Sequence, residues 1–203
     1  MSFRVLLSDL TIWCVDLVGL AWLAGAVYFA ARTRGSPRHR LWHLVRTFFP
    51  EPWLLVLVPA VFALTIAVPH HVWRDLHFWN PVLAVAGLAV VVASSVLMIW
   101  ARWVLGTMWA ARPMVQDEHA LRTSGPYRFV RHPIYTGIAG LVLGATLVFG
   151  FGSVLATLAC TAPFVYWRVW AEERMMVATF GEEYRDYRRR VPALLPYPRP
   201  RTS

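Results

Sequence analysis

Three clusters of polar residues interrupt an otherwise apolar chain, and each could do chemistry. The first is HALRTSGPYRFVRHPIYTG, residues 119–137, which carries two proline turn signals, Gly125-Pro126 and His132-Pro133. A residue before proline is pushed away from helical geometry, so this loop is extended and bent, with backbone groups free to hold the edge of a heterocycle. Pro133 then suits the first turn of a helix and leaves His132 near its N-terminus. The second is the pair Glu172 and Glu173, within a residue or two of an apolar boundary, where a carboxylate is costly without a partner. A cationic ligand would be such a partner, although the pair beside Arg168 and Arg174 also reads as a plain marker of the water interface. The third is Tyr184, Tyr187 and Arg188–Arg190, which could equally be interfacial anchors with affinity for phospholipid. His70, His71 and His77 have no HExxH spacing and only Asp75 close by, so no metal is expected. The glycine patterns of dinucleotide and phosphate loops are absent, which leaves a soluble Rossmann-type core unsupported.

The elements that must position these clusters follow from composition. The 203 residues are 58% hydrophobic and only 15% charged, too oily for a soluble domain. The balance predicts an all-α, polytopic membrane protein. A helix crosses a bilayer with roughly 20 apolar residues, and five stretches approach that length, at about 10–31, 48–68, 81–100, 134–149 and 153–170. The first exceeds a signal-peptide core and is expected to be retained. Cys14 and Cys160 lie deep in apolar runs and are not expected to pair. Net charge is +9, yet the twenty basic residues, all Arg, fall mainly on alternating connections. That asymmetry argues for orientation in a membrane rather than nucleic acid, with the N-terminus outside and the C-terminus cytoplasmic.

Gly150 and Gly152 predict a tight turn joining the last two spans as an antiparallel hairpin. Gly140 and Gly144 have the small-xxx-small spacing that lets helix backbones approach closely in lipid. Trp73, Phe78 and Trp79 suit an aromatic belt at the outer interface, and residues 32–47 read as an amphipathic basic stretch facing headgroups. Residues 1–100 would carry the first three helices, and 101–203 the catalytic region with a cytoplasmic C-terminal cofactor-binding cap.

The His119–Gly137 block, followed after a hairpin by EE and then FGEEYRDYRRRVPALLP, resembles the isoprenylcysteine carboxyl methyltransferase family and related membrane phospholipid methyltransferases. The likeness covers about Leu105 to Tyr197. It implies a multispan α-helical enzyme using S-adenosylmethionine on a lipophilic acceptor. Carried over, His119, Gly125, Pro126, Tyr127, Arg131, His132, Pro133, Tyr135 and Gly137 match its cofactor-binding loop. Glu172 and Glu173 match its acidic pair. Tyr184, Tyr187, Arg189, Arg190 and Pro192 match its closing segment, where an Arg is expected near the reacting group.

Methyl transfer needs nucleophile, methyl carbon and sulfur in line, so positioning and water exclusion should dominate. A carboxylate acceptor needs no base, only a cation such as Arg190 or Arg189 to orient it. An amine or thiol acceptor needs a base, for which Glu173, Tyr135 and His132 are all candidates. Two other readings compete. Membrane sterol and steroid reductases end in a similar hairpin and Tyr/Arg-rich tail and use NADPH, and a non-enzymatic adaptor could bind anionic lipid through its Arg-rich cap. The methyltransferase reading requires His132, Glu172 and Glu173 to meet on one side of the membrane.

Overall fold

A computed structural model describes residues 2–32, 63, 65–105 and 121–196. Among them every regular element is helical: α1 (Phe3–Arg32), α2 (His70–Asp75), α3 (Pro81–Leu105), a 3-10 turn (Gly125–Arg128), α4 (Pro133–Phe149) and α5 (Val154–Arg190). The stretch expected to span at 48–68 and the basic segment 32–47 lie almost wholly outside the described residues, as does His119. Three helices, α1, α3 and α5, include segments long and apolar enough to cross a membrane. The apolar α4 has 17 residues, about 26 Å of rise.

Three helices outrun the expected spans, α3 by five residues to Leu105. α1 begins at Phe3 rather than near Leu10, because Leu7 is already buried against Ala84 and Val148. α5 continues past Trp170 to Arg190. The segment after the apolar stretch, AEERMMVA, is built of strong helix formers, so the helix does not stop where the lipid does. The α5 backbone leaves helical geometry once, at Gly181 (φ 54°, ψ −124°), a conformation that residues with a Cβ rarely adopt.

α3 and α4 form the tightest pair in the bundle, and small residues set their separation. A Cβ on Gly144 would fall 2.7 Å from the Gly87 carbonyl oxygen and 2.8 Å from Val91 Cγ2, while one on Gly140 would strike Ser94. The spacing read from the sequence is therefore a backbone-to-backbone crossing, held by close packing where lipid gives no hydrophobic incentive. α3 itself starts at Asn80, whose Oδ1 accepts from the backbone N–H groups of Val82 (2.9 Å) and Leu83 (3.2 Å), followed by Pro81 at a position that has no use for an N–H.

The α4–α5 turn is knitted to the loop that precedes α3. Gly152 N donates to Leu76 O (3.2 Å), Phe151 N to Phe78 O (3.4 Å) and Trp79 Nε1 to Val148 O (3.0 Å). Arg4 joins this end of the bundle. Its Nη2 lies 3.0 Å from His77 Nε2 and donates to Phe149 O (3.2 Å), with the guanidinium over the Trp79 ring. At the opposite end Ala101, Tyr127 and Ile134 pack together with Trp22 and Val104.

Candidate active site

Two short stretches of sequence meet at that opposite end. After the 3-10 turn residues 129–132 lead irregularly into α4, and the residues following α5 fold alongside them. Arg131 N donates to Pro192 O (2.9 Å) and His132 N to Ala193 O (3.0 Å). Thr136 Oγ1 adds a bond to Leu194 O (2.7 Å). The turn chemistry of His132-Pro133 explains the pairing, since the proline keeps His132 out of helical geometry (φ −124°, ψ 61°) and its N–H is presented outward rather than to a helix.

The side chains complete the junction. Glu173 Oε1 accepts from Arg131 Nε (2.7 Å), from Tyr184 OH (3.0 Å) and from His132 Nε2 (3.0 Å). Glu172 Oε1 accepts from Tyr135 OH (2.7 Å) and Arg168 Nη2 (3.2 Å), and its Oε2 lies 3.4 Å from His132 Nδ1. Both nitrogens of the buried His132 ring thus face carboxylate oxygens, which only the doubly protonated imidazolium can satisfy. Arg131 Nη1 also donates to the carbonyls of Arg188 and Val191, tying the end of α5 to the same point.

Protonation follows from this geometry. Burial would depress His132, but its hydrogen bonds to Glu172 and Glu173 outweigh that and raise its pKa above the ordinary histidine value. Burial would raise Glu173, yet the bonds from His132 and Arg131 prevail and hold it at about 2. Glu172 is lowered in the same way, by His132, Tyr135 and Arg168 against burial. Burial keeps the Tyr184 and Tyr187 phenols protonated well above their usual range. Charged acids at a lipid boundary are thereby fully compensated.

Beside the junction opens a cavity of about 500 Å³, lined by Arg131, Glu173 and Arg188 with Tyr166, Val169 and Trp170. Its size is that of a pocket for a drug-sized ligand. Glu173 Oε2 faces Arg188 Nε at 3.6 Å, longer than an ordinary hydrogen bond, so it can accept a further donor. A carboxylate oxygen beside the exposed rings of Tyr166 and Trp170 is a donor set suited to a sulfonium and an ammonium.

The residues expected at the site fall into groups. Arg131, His132, Tyr135, Glu172, Glu173 and Tyr184 form one hydrogen-bonded network. Tyr187 OH donates to the Tyr127 carbonyl (2.5 Å), closing α5 over the 3-10 turn that Gly125 and Pro126 begin. Pro133 is buried at the first turn of α4, and Gly137 lies on the α3 side, where a Cβ would strike Met98. Arg189 and Arg190 turn to Asp186 instead, through its carboxylate and its carbonyl respectively, and are exposed. Arg168 and Arg188 take the positions on the network and the cavity. The i,i+4 spacing of Arg168 and Glu172 was visible in the sequence. Nothing in a run of three arginines shows which one faces inward.

Residues 85–178 match the model of the isoprenylcysteine carboxyl methyltransferase (ICMT) family. That segment, just under half of the chain, is similar to the ICMT family. It contains most of the network: Arg131, His132, Tyr135, Arg168, Glu172 and Glu173. Among curated relatives, a protein-S-isoprenylcysteine O-methyltransferase of Schizosaccharomyces pombe is 38% identical over 80 residues, 39% of this chain and 34% of that protein. A methanethiol S-methyltransferase of Mycobacterium tuberculosis is 40% identical over 93 residues, 44% of this chain and 35% of that protein. The chain thus spans about a third of the length of these relatives. The solved structure of a eukaryotic intramembrane Ras methyltransferase ICMT shares the fold, with a TM-score of 0.52 at 20% identity, covering 91% of this chain and 75% of that one. The ICMT-like fold and three helices long and apolar enough to cross a bilayer, among the described residues, support an integral membrane protein.

Proposed function

We propose that the chain is a membrane methyltransferase that moves a methyl group from S-adenosylmethionine to a lipophilic acceptor, an isoprenylcysteine-type carboxylate, at the cytoplasmic face. The observation that carries this reading is the meeting of Arg131 and His132 with Glu172 and Glu173 beside a cavity that Arg131 and Glu173 line. The family resemblance of residues 85–178 and the two kinds of methyltransferase among the relatives support it. In this reading five helices cross the bilayer, the N-terminus is outside, and residues 101–203 carry the catalysis while 1–100 complete the bundle. Since α3 packs on α4, that division is one of role and not of folding.

S-adenosylmethionine supplies an electrophilic methyl carbon on a positively charged sulfur. The chain's own part is to bind, orient and keep water out. Glu173 Oε2 would accept from the cofactor's ammonium or ribose hydroxyls, with the Trp170 and Tyr166 rings beside the cation. The loop from Gly125 to His132 would hold the heterocycle edge. Glu172, Arg131 and His132 fix Glu173 and the loop in place, so their main role is preorganisation, a term worth up to roughly 7–11 kcal/mol in well-oriented systems.

The protonation states bear on the acceptor. His132 is committed as an imidazolium between two acids, and Glu173 is too weak a base at a pKa of about 2 to take a proton from a thiol or amine. An acceptor that is already an anion needs neither. We place Arg188, on the cavity wall, at that carboxylate, rather than Arg189 or Arg190.

Calorimetry in detergent tests the cofactor, and labelled methyl transfer tests the acceptor. S-adenosylhomocysteine should bind the native chain, and binding should vanish in Glu173→Ala and His132→Ala. Binding of NADPH in its place would sink the proposal. Methyl label should pass to an isoprenylated cysteine, and transfer to methanethiol alone would overturn the carboxylate assignment.

A further inference from the structure

A second cavity of about 440 Å³ adjoins the first and shares Val177 and Arg188 with it. Its remaining lining residues are Arg185 and Arg189, so three of the four are arginines, and none of those described is acidic. Chain direction explains how they converge. Val177 stands before the bend at Gly181, and the arginines stand after it on the segment that turns back.

The depth of this cavity is set by α5. The helix leaves its apolar stretch at Trp170, whose ring carries the Arg174 guanidinium 4.6 Å from its centre, an aromatic and cation pair typical of the headgroup level. Val177 follows about two turns later. The arginine cavity therefore lies beside the lipid boundary, continuous with an apolar floor of Val169 and Trp170 in the first cavity.

We propose that the second cavity binds the phosphate headgroup of an anionic membrane lipid between Arg185, Arg188 and Arg189, with the lipid's apolar part leading off past Val177. Guanidinium forks match phosphate oxygens bidentately, and the cavity offers three of them to one anion. Arg188 Nε lies 3.6 Å from Glu173 Oε2, and Arg185 and Arg189 each have a carboxylate partner one turn away, Glu182 and Asp186. The pairs of Arg185 and Arg189 are exposed, and such pairs contribute little, so a phosphate can be accommodated beside them or in their stead at small cost. A zwitterionic choline headgroup brings its own cation into the arginine cluster and is disfavoured. The site differs from the cofactor pocket in chemistry, and its occupant need not react. Through Arg188, which borders both cavities, its occupancy reaches the wall of the first.

Titration of the detergent-solubilised full chain, followed by native mass spectrometry, tests this without any turnover. The probes are dihexanoyl phosphatidylglycerol, dihexanoyl phosphatidylcholine and inorganic phosphate. Phosphatidylglycerol should bind roughly tenfold tighter than phosphatidylcholine, and Arg185→Gln should weaken it by a similar factor without moving the melting temperature. Arg185→Lys, which keeps the charge and loses the fork, should fall between the two. Equal affinity for the two lipids, or an Arg185→Gln affinity matching the native chain, overturns the site. Inorganic phosphate binding as tightly as phosphatidylglycerol overturns the lipid as its occupant.

Discussion

Tyr184 donates its hydroxyl to Glu173 Oε1 at 3.0 Å, although eleven residues separate them on one helix. Straight α-helix would place them about 16 Å apart, beyond the reach of a tyrosine. The bend at Gly181 brings them together. A Cβ there would meet nothing within 4 Å, so the demand on this position comes from the backbone alone.

Gly181→Ala should therefore cost about 1–3 kcal/mol, because φ 54° with ψ −124° is backbone that a residue with a Cβ rarely adopts, with no steric clash to relieve. The melting temperature should fall, and affinity for S-adenosylhomocysteine should fall with it as Tyr184 and Glu173 part. A fully stable alanine variant with native affinity would show that the bend is not needed.

Glu173→Gln removes the charge that Arg131, His132 and Tyr184 share. Arg131 is almost wholly buried, and leaving such a cation without its partner typically costs about 3–5 kcal/mol. Tyr184→Phe deletes one donor and should cost about 1 kcal/mol. Chemical or thermal denaturation in detergent would rank the two, and the reverse order would disprove the central place given to Glu173.

Acid and alkali should loosen the junction for different reasons. Glu173 sits at about 2 when folded, below an unfolded carboxyl near about 4.3. Its stabilisation is complete above the unfolded value and drains away as pH falls through the folded one. His132 is raised when folded, so its stabilisation is complete below an unfolded pKa of about 6.5 and is lost as pH climbs through the folded value. Melting temperature measured across pH should decline on both sides. In His132→Gln the alkaline decline should shrink while the acid one persists, and an unchanged alkaline limb would remove the imidazolium from the account.

Gly144→Val inserts a side chain where the α3 and α4 backbones cross, against Gly87 O and Val91. Overpacking of that kind costs about 1–3 kcal/mol or forces the helices apart. Gly19→Ala is the comparison, because nothing lies within 4 Å of its added methyl. Only the first should lower the melting temperature, and equal effects would count against the crossing.

Arg188→Gln should reduce methyl transfer at least about tenfold more than Arg190→Gln, since a charged hydrogen bond to an anionic acceptor is worth about 1.5–3 kcal/mol. Initial rates at saturating cofactor decide it. Should Arg190→Gln be the more damaging, the orienting cation is the one first suggested by the motif and not the one on the cavity wall.

Much of this arrangement is legible in the amino-acid sequence, for reasons that differ by residue. The glycines at 140 and 144 announce a helix crossing because spacing on a helix is a local property, and the turn at Gly150 and Gly152 is equally local. His132-Pro133 keeps the histidine out of helical geometry just before a helix, although its backbone (φ −124°, ψ 61°) is bent rather than fully extended. The pairing of individual partners is not local. Glu172 finds Tyr135 and Arg168 while its neighbour Glu173 finds Arg131 and Tyr184, a division set by the 100° turn between adjacent helical residues and by the bend at Gly181. The same rotation separates Arg188, which faces the cavity, from Arg189 and Arg190, which lie against Asp186. Helix-forming composition runs unbroken past Trp170, so the sequence carries a change of solvent there but no end of helix.

The bonds that join Arg4, His77 and Phe149 to the loop between Leu76 and Trp79 pin one extremity of the bundle. The network of Arg131, His132, Glu172 and Glu173 pins the other. A bundle clamped at both extremities resists splaying, so the cavity beside Arg131 and Glu173 keeps its walls in place before anything enters it.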